Sequence, residues 1–335
     1  MSTDPHFPPQ REQPKEAPPE PVPRVDPGKA LVPVHPALDH AARVFESALA
    51  RFRSGLLARS RQPPIRPRAT WCGPGGVALG SIEPAVAQAL ANAGLPWKRL
   101  ESDRGGAAPA GGADPALGRW QVGQATADPA RQVDGLSDAL ERTARWLHEQ
   151  GLGGRWRHEA LTVTDAEGVE HARIERAAVR VLGVTTFAVH LCGYARGPQG
   201  EVVQWLQQRA LDKATDPGLW DTLMGGQCGA GEWLAETLER ETWEEAGLRL
   251  QVLQGLREAG RCSFERPVSD GWLVEHIDLF EAWVPEGVSP LNQDGEVECF
   301  ELAGTEAVVE RFVRDEVTLE AALMMARAVR PRSRD

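Results

Sequence analysis

No stretch of this 335-residue chain approaches the ~20 consecutive apolar residues that a membrane-spanning helix needs, so no bilayer-crossing segment is expected. The N-terminus, MSTDPHFPPQREQPKEAPPEPVPR, carries charges and prolines but no apolar h-region, which argues against a secretion signal. The five cysteines, Cys72, Cys192, Cys228, Cys262 and Cys299, include no Cys-x-x-Cys pair; reduced thiols in a cytoplasmic protein are the plain expectation. No run of Lys or Arg stands outside short tails, and the net charge is −11. That balance argues against nucleic acid and against an anionic membrane surface as partners. An acidic chain that handles phosphates needs metal ions as intermediaries. No internal repeat is visible.

Against these absences one segment stands out. Gly226 to Leu248 reads GQCGAGEWLAETLERETWEEAGL: Gly226, five residues, Glu232, seven residues, Arg240-Glu241, a gap of two, Glu244-Glu245, one residue, then Gly247-Leu248. This order and spacing is similar to the Nudix box of metal-dependent hydrolases that cleave diphosphates joined to another group. Thr242 stands where an aliphatic residue is usual, a small departure because threonine still packs as a branched side chain.

The chemistry accounts for the spacing. Residues 232–246 contain no Pro or internal Gly, are rich in Ala, Leu and Glu, and end at Gly247, a natural helix C-cap. On such a helix Glu241 and Glu245 are one turn apart and Glu244 is three residues from Glu241, so the carboxylates can share one side. Like charges at that spacing repel unless a cation joins them. Hard oxygen ligands suit Mg²⁺ or Mn²⁺, which would polarise phosphoryl oxygens and activate a water. Arg240 can orient the acids, reaching Glu236 or Glu244 along the helix. Gly225-Gly226 and the glycines at 229 and 231 supply flexible backbone, and the Gly226 carbonyl is a candidate further metal ligand. An ordinary solvated helix laced with ion pairs is the alternative for any Glu/Arg-rich segment, and the preceding glycines at fixed separation weigh against it.

Along the chain, residues 1–36 are Pro-rich and polar and are expected to be disordered. An amphipathic helix is predicted over 40–59, a strand, helix and strand over 71–100, a Gly/Ala/Pro surface loop over 102–116, and a helix over 133–150. Residues 156–163 and 171–174 read as a hairpin, 174–182 as a helix, and 187–196 and 202–209 as strands joined by a turn at 197–200. After the box, 250–259 and 273–284 are strand-like, with helices over 305–314 and 318–329. The eleven tryptophans read as core packing and strand faces. Arg209 and Lys213, between a strand and the box loop, could grip a diphosphate or be plain surface charge. Glu296 and Glu298 alternate onto one face after a loop; Glu296 is the candidate extra ligand or general base. His190, mid-strand, reads as a packed, hydrogen-bonded histidine, and Cys228 occupies a variable box position.

GRWRHEALTV, ARIERAAVRVLGVTTFAVHLCGYAR, WLQQRALDKATDPGLWDTLMGGQ and DGEVECFEL resemble the Nudix branch associated with fungal thiamine pyrophosphokinase, over about Gly154 to Leu302. The resemblance implies an α/β fold: a Nudix α/β/α sandwich with a mixed sheet over 151–335, preceded by a small α/β accessory region over 37–150. It implies hydrolysis of thiamine diphosphate, or its oxidised analogues, to the monophosphate and phosphate, and Glu232 as a partner of Arg240. The expected partner is a small-molecule diphosphate, with the chain a monomer or homodimer. The runner-up is isopentenyl-diphosphate isomerase, which needs a cysteine in the segment here reading DTLMGG. A nucleotide-sugar or dinucleotide diphosphatase and a non-catalytic metabolite sensor remain open.

Overall fold

A computed structural model describes residues 35–100, 111–123 and 129–327. The Pro-rich expectation for residues 1–34 and most of the Gly/Ala/Pro loop lie outside the described residues. The described end of that loop turns inward: Gly111 is buried and its carbonyl accepts a hydrogen bond from Ser81 Oγ at 2.9 Å.

The expected helix over 40–59 is two helices, α1 (Pro36–Leu49) and α2 (Arg53–Ser60), with a 3-10 turn between them. The bend lets Arg53 reach the Ala326 carbonyl at 2.8 Å and Phe52 meet Phe312, their rings tilted at 51° with centroids 5.3 Å apart. Leu38, Ala41, Ala42, Phe45 and Leu49 repeat at helical spacing and are all fully buried.

A small sheet follows. It contains β1 (Ala69–Cys72), β2 (Ala78–Ile82), β3 (Trp97–Leu100) and β4 (Arg119–Val122), in the order β2-β1-β4-β3. Helix α3 (Pro84–Asn92) links β2 to β3, and α4 (Pro129–Glu149) leaves β4. A two-stranded hairpin, β5 (Ala160–Thr164) and β6 (Glu170–Glu175), packs on α4. One apolar core joins all of these: Trp71, Ile82, Leu90, Leu140, Leu147, Leu161, Ile174 and Leu182 belong to it. The predicted helix over 174–182 is not formed. Strand β6 pairs with β5 through Glu175, and only Arg176–Ala178 makes a 3-10 turn. The cause is Glu175, whose buried carboxylate accepts the amides of Arg157 and Glu159, 2.9 and 3.2 Å away, and pins the chain where a helix would start.

The larger sheet is mixed. Its main path is β11 (Gln254–Val268), β12 (Gly271–Trp283), β7 (Thr185–Arg196), β8 (Val202–Arg209) and β13 (Val297–Ala303). Strand β10 (Met224–Gln227) pairs with β7, and β9 (Trp220–Asp221) with β8. β12 runs parallel to β7, while β11, β8 and β10 are antiparallel to their neighbours. Alternation sorts the faces. Ala188, Cys192 and Tyr194 meet α1 and the C-terminal helices α6 (Thr305–Val313) and α7 (Leu319–Met325); Val189 and Leu191 meet α5 (Leu234–Ala246). The result is an α/β/α sandwich whose outer helices include α1, from the far N-terminal part of the described chain.

The strand predicted over 250–259 is corrected as well. Leu250–Val252 forms a 3-10 turn, and the strand runs from Gln254 to Val268. Charges at 257, 258, 261, 265 and 266 and Pro267 disguise it in the sequence. Because β11 is an edge strand, Pro267 is tolerated, and Arg261 pairs across the ladder with Asp278 at 2.7 Å. Among the described residues no helix is long and apolar enough to cross a membrane.

Candidate active site

The box occupies the end of β10, the loop after it and α5. At the start of helix α5 the Glu236 carboxylate accepts the Trp233 amide at 2.8 Å, one half of a capping box, since the indole of Trp233 has no acceptor to return the bond. It ends at Gly247 in the left-handed conformation, φ 63°. Thr242, the departure from pattern, is fully buried, and its hydroxyl bonds back to the Leu238 carbonyl within the helix.

The paired glycines before the loop have separate reasons. A β-carbon on Gly225 would stand 2.7 Å from His190 Cε1, and one on Gly226 would overlap the Glu241 carboxyl group. Both side chains therefore lie against bare backbone. His190 is 6% exposed and bonds Thr222 Oγ1 at 2.9 Å, so it is packed and hydrogen-bonded.

Arg240 organises the acids. Its Nε and Nη2 form a fork with the two oxygens of Glu232, each at 2.8 Å, while Nη1 lies 2.8 Å from Glu241 and 2.9 Å from Glu244. Its Nη2 also reaches the Gln227 carbonyl at 3.2 Å. Glu232 accepts the Gly229 amide and the Thr237 hydroxyl, both at 3.0 Å, which ties the glycine loop to the helix. Burial raises the Glu232 carboxyl, but the Arg240 fork and these hydrogen bonds outweigh it and hold the group below its usual value. For Glu241 the balance reverses: burial pushes its carboxyl up to about 8 despite Arg240, with Glu245 adding to the rise.

Glu245 points away from Arg240. It is 1% exposed and accepts Gln207 Nε2 at 2.9 Å and the Gly225 amide at 3.0 Å, with Lys213 Nζ 3.5 Å away. Burial raises it too. Glu296, just before β13, sits 2.6 Å from the same Lys213 nitrogen. Burial raises the Glu296 carboxyl, yet the Lys213 hydrogen bond and the positive charges of Lys213, Arg157 and Arg176 bring it below its ordinary value. Glu241 and Glu244 are thus gathered by Arg240, and Glu245 and Glu296 by Lys213. No group of three or more acidic, His or Cys side chains is close enough to share one metal among the described residues. Arg209 is turned onto the Thr215 carbonyl at 3.0 Å and Asp221 at 3.4 Å.

The donor set nevertheless fits a divalent cation. It consists of hard carboxylate oxygens, two of them raised by burial, with Glu241 seated in a hollow that any residue other than glycine at 226 would fill. Sequence reasoning missed Gln207, the buried partner of Glu245, and the cations Arg157 and Arg176. Gln207 is one of three glutamines in β8, which reads VVQWLQQR, and nothing in the sequence singled it out from Gln204 and Gln208. For the two arginines there was no signal either, because their approach depends on the path of the β5–β6 hairpin.

The fold and this helix define the class: a mixed sandwich with an acid-bearing helix behind a glycine loop. Residues 186–322 match the model of the NUDIX domain, and this part of the chain is a domain of that family. An uncharacterized protein of Saccharomyces cerevisiae is 27% identical over 212 residues, 58% of this chain and 62% of that protein. Nudix hydrolase 20, chloroplastic, of Arabidopsis thaliana is 32% identical over 129 residues, 38% of this chain and 34% of that protein. An isopentenyl-diphosphate Delta-isomerase of Corynebacterium glutamicum is 31% identical over 149 residues, 43% of this chain and 76% of that protein. The chain therefore spans less than two thirds of the yeast and plant relatives.

Proposed function

We propose that this chain is a metal-dependent diphosphohydrolase, cleaving the P–O–P bridge of a small organic diphosphate in the cytoplasm as a monomer or homodimer. The carrying observation is that buried Glu245 of the box and Glu296 from outside it meet at one cation, Lys213, beside the raised carboxyl of Glu241.

In this reading Glu241, Glu244 and Glu245 hold Mg²⁺ or Mn²⁺ together with the Gly226 carbonyl. Bound there, the ion neutralises phosphoryl charge and lowers the pKa of a water. Arg240 and Glu232 brace the loop and the helix so that the acids keep their places. Glu296 takes the proton from the attacking water; Lys213 stands between the two acids and Arg209 against Thr215 and Asp221, and their partly neutralised charges add to the positive field at the phosphates without gripping them. Positioning and charge neutralisation supply most of the rate.

The substrate we favour is thiamine diphosphate or its oxidised analogues, released as the monophosphate and phosphate. The support is the resemblance over residues 154–302 to the branch associated with thiamine pyrophosphokinase. Residues 151–335 are the catalytic domain in this reading, with α1 added as an outer helix of its sandwich, and the remainder of residues 37–150 closes over the organic half of the substrate. The isomerase relative favours a second reading, double-bond movement in an isoprenoid diphosphate. Residues 221–226 read DTLMGG and lack the cysteine that such chemistry needs, which weighs against it.

A phosphate-release screen with Mg²⁺ across thiamine diphosphate analogues, nucleotide sugars, dinucleotides and isoprenoid diphosphates tests this. Preference for a thiamine compound is the expected result; preference for another class overturns the substrate and keeps the reaction. Glu245→Gln should abolish release while binding persists. If no diphosphate is cleaved and binding is the sole property, the chain is a sensor.

A further inference from the structure

The cations that sequence spacing nominates for phosphate are already engaged by the protein. Arg240 serves three glutamates, Lys213 serves Glu245 and Glu296, and Arg209 serves Thr215 and Asp221. The side chains of Lys213 and Arg209 are 16% and 17% exposed. A diphosphate arriving at this site needs a positive group that is still free to meet it.

Arg157 is such a group. It precedes β5, outside residues 186–322, and is exposed. Among the described residues its guanidinium makes no ion pair, although it lies near Arg176, Glu296 and Glu159. Arg176 alongside is neutralised by Glu159 at 2.7 Å. The backbone that presents Arg157 is held with unusual care. The Glu175 carboxylate, 5% exposed, accepts the Arg157 amide at 2.9 Å, the Glu159 amide at 3.2 Å and the Ala177 amide at 3.4 Å. His158 between them adopts φ 59°, a left-handed conformation that costs a non-glycine residue energy. The hairpin behind it is bonded to the box loop itself: the Ala230 amide donates to the Ala160 carbonyl at 2.8 Å, and the Gly231 amide to Thr162 Oγ1 at 3.3 Å. A buried carboxylate and a strained residue thus fix an unpaired arginine relative to the glycine loop and Glu296.

We propose that Arg157 is a substrate-binding residue of this site, gripping the phosphate of the diphosphate that is remote from the Arg240 cluster. The β5–β6 hairpin supplies it to a domain whose own cations are committed. Glu175 is the positioning residue. A guanidinium fork matches two phosphate oxygens, and its grip adds to ground-state binding rather than to bond breaking, so its loss falls on KM. This rests on the diphosphohydrolase reading above.

The test uses the full chain with Mg²⁺, steady-state hydrolysis of the best diphosphate from the screen, and calorimetric binding of inorganic pyrophosphate. Arg157→Ala is expected to raise KM and weaken pyrophosphate binding by roughly ten- to a hundredfold, the loss of a charged hydrogen-bonding pair, with kcat within a few-fold of the parent. Arg157→Lys should recover part of the loss, and Arg314→Ala, an exposed arginine paired with Glu310, should match the parent. Because Arg157 is exposed, an unchanged melting temperature verifies folding. Parent-like KM and pyrophosphate affinity in Arg157→Ala overturn the proposal while the hydrolase reading stands. A parent protein that neither cleaves a diphosphate nor binds pyrophosphate overturns both.

Discussion

Lys213 holds Glu296 at 2.6 Å and stands 3.5 Å from Glu245, so two acids 51 positions apart in the sequence share one ammonium. Glu245 is the buried member, and its remaining partners are Gln207 and the Gly225 amide. Lys213→Ala removes the only cation in that set. It should destabilise the fold by about 1–3 kcal/mol, because a buried charged group loses a partner. It should also shift the pH–activity profile upward, since both Glu245 and Glu296 lose the group that favours their ionised forms. Urea denaturation and a pH–rate profile would check this; an unshifted profile would detach Lys213 from the reacting acids.

Gly226→Ala places a methyl group into the Glu241 carboxyl. Overpacking of this kind costs about 1–3 kcal/mol, and the relief available is displacement of Glu241. Hydrolysis should drop by at least a hundredfold while the protein remains folded, as read by circular dichroism and phosphate release. Parent-like turnover would show that the position of Glu241 is not needed.

The raised carboxyl of Glu241 sets a pH dependence for stability. Burial moves it from the ordinary 4.5 to about 8, so between those values the folded chain holds a proton that the unfolded chain has lost. The contribution to stability is fully present below 4.5 and disappears as pH rises through 8. The melting temperature of metal-free protein should therefore fall between pH 6 and about 8.5 more steeply than that of Glu241→Gln. Saturating Mg²⁺ should flatten the parent's slope, because a cation favours the ionised carboxylate. Equal slopes in parent and variant would remove Glu241 as the cause.

A separate ion cluster ties the ends of the described chain together. Glu281, with its side chain fully buried on β12, accepts Arg257 at 3.1 Å and Arg327 at 3.2 Å, and Arg257 also pairs with Asp39 of α1. Glu281→Ala leaves Arg327 without its carboxylate and Arg257 with Asp39 alone, and should cost about 3 kcal/mol. The effect should appear in denaturation, with KM for the substrate unchanged in whatever fraction stays folded.

The spacing of the box determined much of the candidate site before any coordinates. Glu232, Arg240, Glu241 and Glu244 lie within thirteen positions; helical spacing sets Arg240 beside Glu244, whereas its pairing with Glu232, which precedes the helix, is implied by the family resemblance and depends on the path of the glycine loop. The cap at Gly247 and strands β7 and β8 were legible for the same reason: their signals are local in sequence. Glu245 shares that helix, yet its partners come from β8, the loop at Lys213 and the Gly225 amide of β10, and no local pattern specifies which strand lies beside it. The 174–182 segment shows the same limit, since apolar periodicity pointed to a helix that pairing with β5 and the buried Glu175 overrode. Only the tertiary structure decided that α1 completes the sandwich, that β11 is a long edge strand despite its charges and Pro267, and that the hairpin carrying Arg157 is bonded to the box loop. Each depends on long-range register and packing, which set the energy of a segment only after its neighbours are in place.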